Sequence, residues 1–234
     1  AQGQADWTNE LFYEFFIRRG YNLGGNLPAL FQKDDPEKNT RVLSDYRQTI
    51  ADLILEKFTT HWTQWANRQG KTTRNQAHGS PGNILDLYAA SDIPEAEGGE
   101  ITRFKFASSA SNVTGKKLTS CEAATWLDEH FRSGLADVKK AADLFFLAGI
   151  NHLFYHGTCF SPQEEPWPGF LFYAAAEFTP ANPFWSDFRE LNNYITRVQS
   201  FLQQGMSYNN ILLYFPVSDS YADYKGQMLS LIHI

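Results

Sequence analysis

Residues 87–100 read LYAASDIPEAEGGE. An apolar run gives way to four acids within nine residues, Asp92, Glu95, Glu97 and Glu100, with two glycines among them. Like charges this close repel, so the cluster is costly unless a cation or a shared proton sits among them. At the end of a buried strand, such a cluster presents chemistry on one edge of a sheet.

The same punctuation recurs along the chain. KTTRNQAHGSPGN (71–83) reads as a short strand running into a Gly/Pro loop. KKLTSCEAATW (116–126) predicts a strand over 116–121, with Glu122 just past its end. INHLFYHGT (150–158) predicts a strand ending at Gly157, and NNILLYFPV (209–217) a fifth strand. Between them lie helical patterns. NELFYEFFIRRG (9–20) stops at Gly20, and the long amphipathic stretch 41–68 follows the i, i+3, i+4 rule. A short helical turn precedes the acidic segment. FRSGLADVKKAADLFFLAG (131–149) closes at Gly149, and 184–205 predicts a helix with Ser186 as N-cap.

Strand and helix alternate, and the strands read as apolar throughout. That predicts an α/β fold with parallel strands buried on both faces. An open sheet and part of a (β/α)8 TIM barrel both fit. Neither G-x-G-x-x-G nor G-x-x-x-x-G-K-[ST] follows any strand, which removes the usual phosphate-binding rationale for an open sheet. The polar, Gly-rich segments all follow strand C-termini, and in a barrel those loops share the catalytic face.

Composition narrows the function. The 234 residues are 43% hydrophobic and 20% charged, enough for one sizeable core. Net charge is −6 with acids and bases interspersed, which argues against nucleic acid as partner. No apolar run approaches about 18 residues, so nothing in the sequence reads as a membrane span. Cys121 and Cys159 show no metal spacing and read equally as two thiols or as a disulfide. The chain opens inside a helical pattern, and its last six residues, LSLIHI (229–234), resemble a translated sequencing adapter. Residues 1–228 are therefore expected to be an internal fragment of a longer protein and 229–234 a non-native tail.

Serine nucleophile chemistry has little support. The nearest string to G-x-S-x-G is HGSPG, where Pro81 lacks the N–H an oxyanion hole needs. Zinc has little either: His152 and His156 lie in a strand pattern and H-E-x-x-H is absent. Paired carboxylates fit better. Glu95 and Glu122 close separate strands, and glycoside hydrolysis needs two carboxyl groups flanking one bond. The acids around Glu95 also suit Ca²⁺, a hard cation that takes several oxygens. Helix caps and solvated surface acids account well for Glu100, Glu164 and Glu165, and less well for Glu95 and Glu122, which directly follow apolar strand residues.

Three long strings, HGSPGNILDLYAASDIPEAE (78–97), RFKFASSASNVTGKKLTSCEAATWL (103–127) and residues 149–205, resemble glycoside hydrolase family 106, the α-L-rhamnosidases of bacterial glycan degradation. The resemblance implies a (β/α)8 catalytic domain within a larger secreted or periplasmic protein. This chain would be the second part of the barrel, truncated at both ends. It also implies inverting hydrolysis of terminal α-L-rhamnosides from rhamnose-containing oligo- or polysaccharides, with a bound calcium ion. On it, Glu95 and Glu122 are the catalytic candidates. His156, Trp167 and His78 are the sugar-binding candidates, and Glu97 and Asp92 the calcium ligands. The rival readings are a barrel that only holds glycan and a different glycosidase of similar architecture.

Overall fold

The computed structural model describes residues 7–125 and 127–223, so the adapter-like tail at 229–234 lies outside the described residues. Two compact units are present. The first takes 7–71, 78–90 and 210–223 of the described chain; the second takes 72–77 and 91–209.

The first unit is helical. Helix α1 (Leu11–Arg19) ends at Gly20, whose φ of +79° gives the left-handed C-cap that glycine adopts without penalty. After the short α2 (Leu27–Leu30), α3 (Pro36–Leu53) starts five residues before the expected 41. Asp35 caps it by accepting from Lys38 N–H at 2.9 Å, and Pro36 occupies the first turn, where no N–H is needed. A π-helical segment, Ile54–Thr60, joins α3 to α4 (His61–Arg68), so the expected long helix is wound differently at its middle. Leu11, Phe15, Leu23, Ala29, Val42 and Ile50 form the core of this unit. The unit also contains α5 (Ile84–Ala90) and α9 (Val217–Ser220).

The second unit is a parallel α/β assembly. Its sheet has the order β1 (Arg74–Asn75), β2 (Ile93–Ala96), β3 (Ser120–Ala123), β4 (His152–Tyr155), every pair parallel. Helix α6 (Ile101–Thr114) connects β2 to β3, α7 (Leu135–Leu147) connects β3 to β4, and α8 (Trp185–Leu202) follows β4. This is the predicted α/β class, with four strands and no closure into a ring among the described residues.

The strands alternate, contrary to the expectation of apolar runs. One face carries Glu95, Ser120, Glu122, His152 and Phe154. The other carries Pro94, Ala96, Cys121, Ala123, Leu153 and Tyr155. Leu153 and Tyr155 pack on the cluster built from Val138, Ala142, Phe188, Leu191 and Ile195 of α7 and α8. Helices thus seal one face, and polar chemistry is confined to the other.

Three local expectations change. Strand β3 lies later than predicted and contains Glu122 instead of ending before it. Helix α8 begins at Trp185, and Ser186 sits inside its first turn rather than at the cap. Residues 207–216 are coil: Ile211, Leu212 and Leu213 are exposed, and among the described residues no strand supplies a ladder for the expected fifth strand. Both cysteines are free thiols.

Candidate active site

The register of β2, β3 and β4 builds the site. Glu95 pairs with Ser120, and Glu122 pairs with Phe154. Glu122 is therefore two residues beyond the level of Glu95, one strand across. Two residues along a strand span about 6.6 Å and one strand across about 4.8 Å, so the two Cα atoms lie about 8 Å apart. The stagger separates two carboxylates that neighbouring strands would otherwise press together.

Glu122 is the hub. Its Oε2 accepts from Gln76 Nε2 at 2.8 Å. Its Oε1 accepts from Thr125 Oγ1 at 2.9 Å and lies 2.8 Å from His156 Nδ1. The other ring nitrogen of His156, Nε2, faces the Tyr173 carbonyl at 3.0 Å. The imidazole is stacked on Phe172, centroids 4.5 Å apart. Glu122 keeps 28% of its side chain exposed, so it remains within reach of a ligand.

Glu95 is deeper, only 6% exposed. Its Oε2 accepts from Ser120 Oγ at 2.9 Å and meets Arg74 Nε at 3.0 Å. Burial raises the carboxyl's pKa above the usual range; Ser120 and Arg74 pull it back, and Glu122 and Glu97 push it further up. Burial wins, although Arg74 is an ion-pair partner, because the guanidinium is itself part-exposed and solvent screens it. The Arg74 guanidinium also lies 3.5 Å over the Phe154 ring, which fixes its plane. His152 packs edge-on to the same ring at 4.6 Å, and burial first, then Arg74, holds it below the usual histidine range.

The segment after β4 supplies the surround. Phe160, Trp167, Phe170 and Tyr173 are all exposed there. Trp167 donates its indole N–H to the Ala181 carbonyl at 3.2 Å and leans on Phe131 at 5.6 Å. Its position is fixed while 71% of its surface stays open, an exposed apolar face in a held orientation. Glu177, wholly buried, ties this segment down: it faces His130 Nδ1 at 3.1 Å and accepts from Phe172 N–H at 3.1 Å. Asn182 adds bonds to the carbonyls of Ala176 and Glu177.

Of the residues expected from sequence, Glu95, Glu122 and His156 converge. Continuing the β2–β3 register one residue past Ala96 and Cys121 sets Glu97 level with Glu122. Asp92 does not join them. It lies at the opposite end of β2, where Oδ2 accepts from Thr73 N–H at 2.7 Å and Thr73 Oγ1 at 3.0 Å. The calcium pair Asp92 and Glu97 therefore makes no common donor set, because the strand holds them at different ends. Among the described residues no three His, Cys, Asp or Glu side chains converge on a metal position. His78 sits in the turn after β1 and falls in the first unit. Sequence reading missed Gln76, Thr125, Arg74 and the Tyr173 carbonyl. Gln76 and Arg74 lie in the short strand segment already flagged; their alternation with Asn75 was the signal that they share a face.

Gly157 leaves no room for a side chain. An added Cβ would meet Phe172 Cδ1 at 2.9 Å and Cε1 at 3.1 Å. Gly157→Ala must push Phe172 away from the His156 ring it stacks on. We expect a loss of about 1–3 kcal/mol in unfolding free energy, typical of overpacking, together with reduced turnover. Denaturant melts and initial rates on the same sample check it; unchanged values in both would show that Phe172 relaxes freely.

The α-L-rhamnosidase family model, glycoside hydrolase family 106, matches residues 1–224. A Formosa agariphila protein bearing a β-glucuronidase name is 29% identical over 223 residues, covering 91% of this chain and 19% of that protein. A rhamnosidase structure from Novosphingobium sp. PP1Y aligns with a TM-score of 0.65 at 23% identity, covering 87% of this chain and 21% of the other. The chain thus spans about a fifth of the length of each, and the second likeness shows a shared fold.

Proposed function

Because the chain belongs to glycoside hydrolase family 106, the α-L-rhamnosidases, we propose that it forms part of a (β/α)8 catalytic barrel that hydrolyses terminal α-L-rhamnosides with inversion. The observation that carries this reading is the staggered carboxylate pair. Glu122, ringed by donors from Gln76, Thr125 and His156, suits the anion that activates water. Glu95, whose proton burial stabilises, suits the acid that protonates the leaving oxygen. Inverting enzymes keep their carboxyls roughly 6.5–9.5 Å apart to admit water, and a Cα stagger of about 8 Å is compatible with such a spacing of the side chains. Trp167 would offer a face to the sugar. His78 remains a sugar-binding candidate by family resemblance alone. The full enzyme is proposed to act outside the cytoplasm.

The β-glucuronidase name of the Formosa protein suggests a different substrate. A uronate brings a carboxylate, whereas rhamnose carries a neutral methyl at the same ring position. The described face bears Glu95, Glu97 and Glu122, and Arg74 is already paired with Glu95. Assaying the full-length protein on aryl α-L-rhamnoside and aryl β-D-glucuronide decides it. We expect turnover of the rhamnoside only; glucuronide as the better substrate would overturn the proposal.

Calcium enters as a separate proposal drawn from the family. Glu97, level with Glu122 by the β2–β3 register, would supply one oxygen, and the others would have to come from residues other than Asp92. We expect exhaustive chelation of the full-length enzyme to lower rhamnoside hydrolysis and added Ca²⁺ to restore it. Unchanged rates in metal-free enzyme, verified by elemental analysis, would remove calcium from the proposal.

A further inference from the structure

We propose that His156 is a positioning residue for Glu122 and not a sugar ligand, which rests on the reading of Glu122 as a reacting carboxylate. Proton counting on the observed contacts leads there. The Tyr173 carbonyl can only accept, so His156 Nε2 carries a hydrogen. Nδ1 lies 2.8 Å from Glu122 Oε1, so one further proton sits between them. Whether that proton rests on nitrogen or oxygen, the His156–Glu122 unit is neutral as a whole. Both ring nitrogens are engaged, one ring face is covered by Phe172, and only 10% of the side chain is exposed. Nothing on this histidine is left to bind a sugar hydroxyl.

The same count singles out one oxygen of Glu122. Each carboxylate oxygen offers about two acceptor positions. Oε1 has both filled, by Thr125 and His156. Oε2 has one filled, by Gln76. The remaining position on Oε2 is the one that can take a proton from water. His156, Thr125 and Gln76 together hold the carboxylate with that one acceptor position left over, and the stack on Phe172 with the bond to Tyr173 holds His156.

A double-mutant cycle in the full-length protein tests this, using an activated aryl rhamnoside so that weak variants remain measurable. Displacing a reacting group by about 1 Å costs up to about 10²-fold, so His156→Ala should lower kcat by about 10–10²-fold with KM unchanged. His156→Asn, which keeps a donor near Oε1, should recover part of that loss. In a Glu122→Gln background, His156→Ala should lower kcat no further, because its effect runs through Glu122. A raised KM with kcat intact in the wild-type background, or additive losses in the cycle, would make His156 an independent sugar contact and overturn the proposal. A near-normal kcat for Glu122→Gln alone would instead remove Glu122 from the reaction, and with it this role for His156. Thermal melts of each variant separate these outcomes from loss of folding, and the Asn variant carries the test if Ala unfolds.

Discussion

Glu122→Gln in the full-length enzyme should keep the fold and lose about 10²–10⁴-fold in kcat, the span that a positioned general acid or base supplies. The substitution nearly preserves shape. With the amide nitrogen in the Oε1 position, Gln76 can still donate to the amide oxygen, and the amide N–H groups can donate to His156 Nδ1 and to Thr125 Oγ1. Only the capacity to hold charge and take a proton is lost. The deficit should therefore persist on substrates with good leaving groups, because activating water remains as hard as before. Circular dichroism and melting temperature should match the parent enzyme. Turnover of a natural rhamnoside within a few-fold of the parent would show that the reacting carboxylate lies elsewhere.

Glu95→Gln should cost at least about 10²-fold in kcat on natural rhamnosides, with a different signature. An acid is needed least when the leaving group departs unaided, so aryl rhamnosides with acidic phenols should be partly spared. Stability should change little. The amide oxygen, placed where Oε2 was, can still accept from Ser120 Oγ and Arg74 Nε. If the variant instead turns over normally, Glu95 is the ion-pair partner of Arg74 and nothing more. The acid would then come from the part of the longer protein that this chain does not span.

Much of the fold could be read from local chemistry. Gly20 and Gly149 end their helices with φ of +79° and +91°, a conformation that glycine alone adopts freely, so both boundaries were visible as single letters. The parallel order of the sheet followed from alternating strand and helix patterns. Helix α6 was not legible. Its sequence, ITRFKFASSASNVT, buries Phe104 and Ala107 but also Ser108 and Ser111, so polar letters sit on the inward face. Ser108 is satisfied by donating to the Ala148 carbonyl at 2.6 Å, a partner 40 residues away that no local pattern announces.

The site divides the same way. Glu95 and Glu122 stood out because charge at a strand end is unusual. Their partners did not, because Gln76 and the Tyr173 carbonyl reach Glu122 and His156 through parallel pairing and a long loop, not through sequence neighbours. Asp92 misled because it belongs to the acidic run in sequence, yet Thr73 holds it at the far end of the strand. The fifth strand misled because β-branched and aromatic letters encode only a readiness to pair, and a ladder needs a neighbour.

The two thiols differ in a way that is useful experimentally. Cys121 lies between Ser120 and Glu122 but points into the helix-covered face, fully buried, and burial together with the nearby carboxylates pushes its pKa well up. Since the thiolate is the nucleophile, that sulfur is inert to alkylation. Cys159 is half-buried and lies three residues beyond His156, in the segment that bears Trp167. Within this stretch a maleimide dye therefore has a single native anchor. Its emission would report movement of the segment that bears Trp167 without any engineered cysteine.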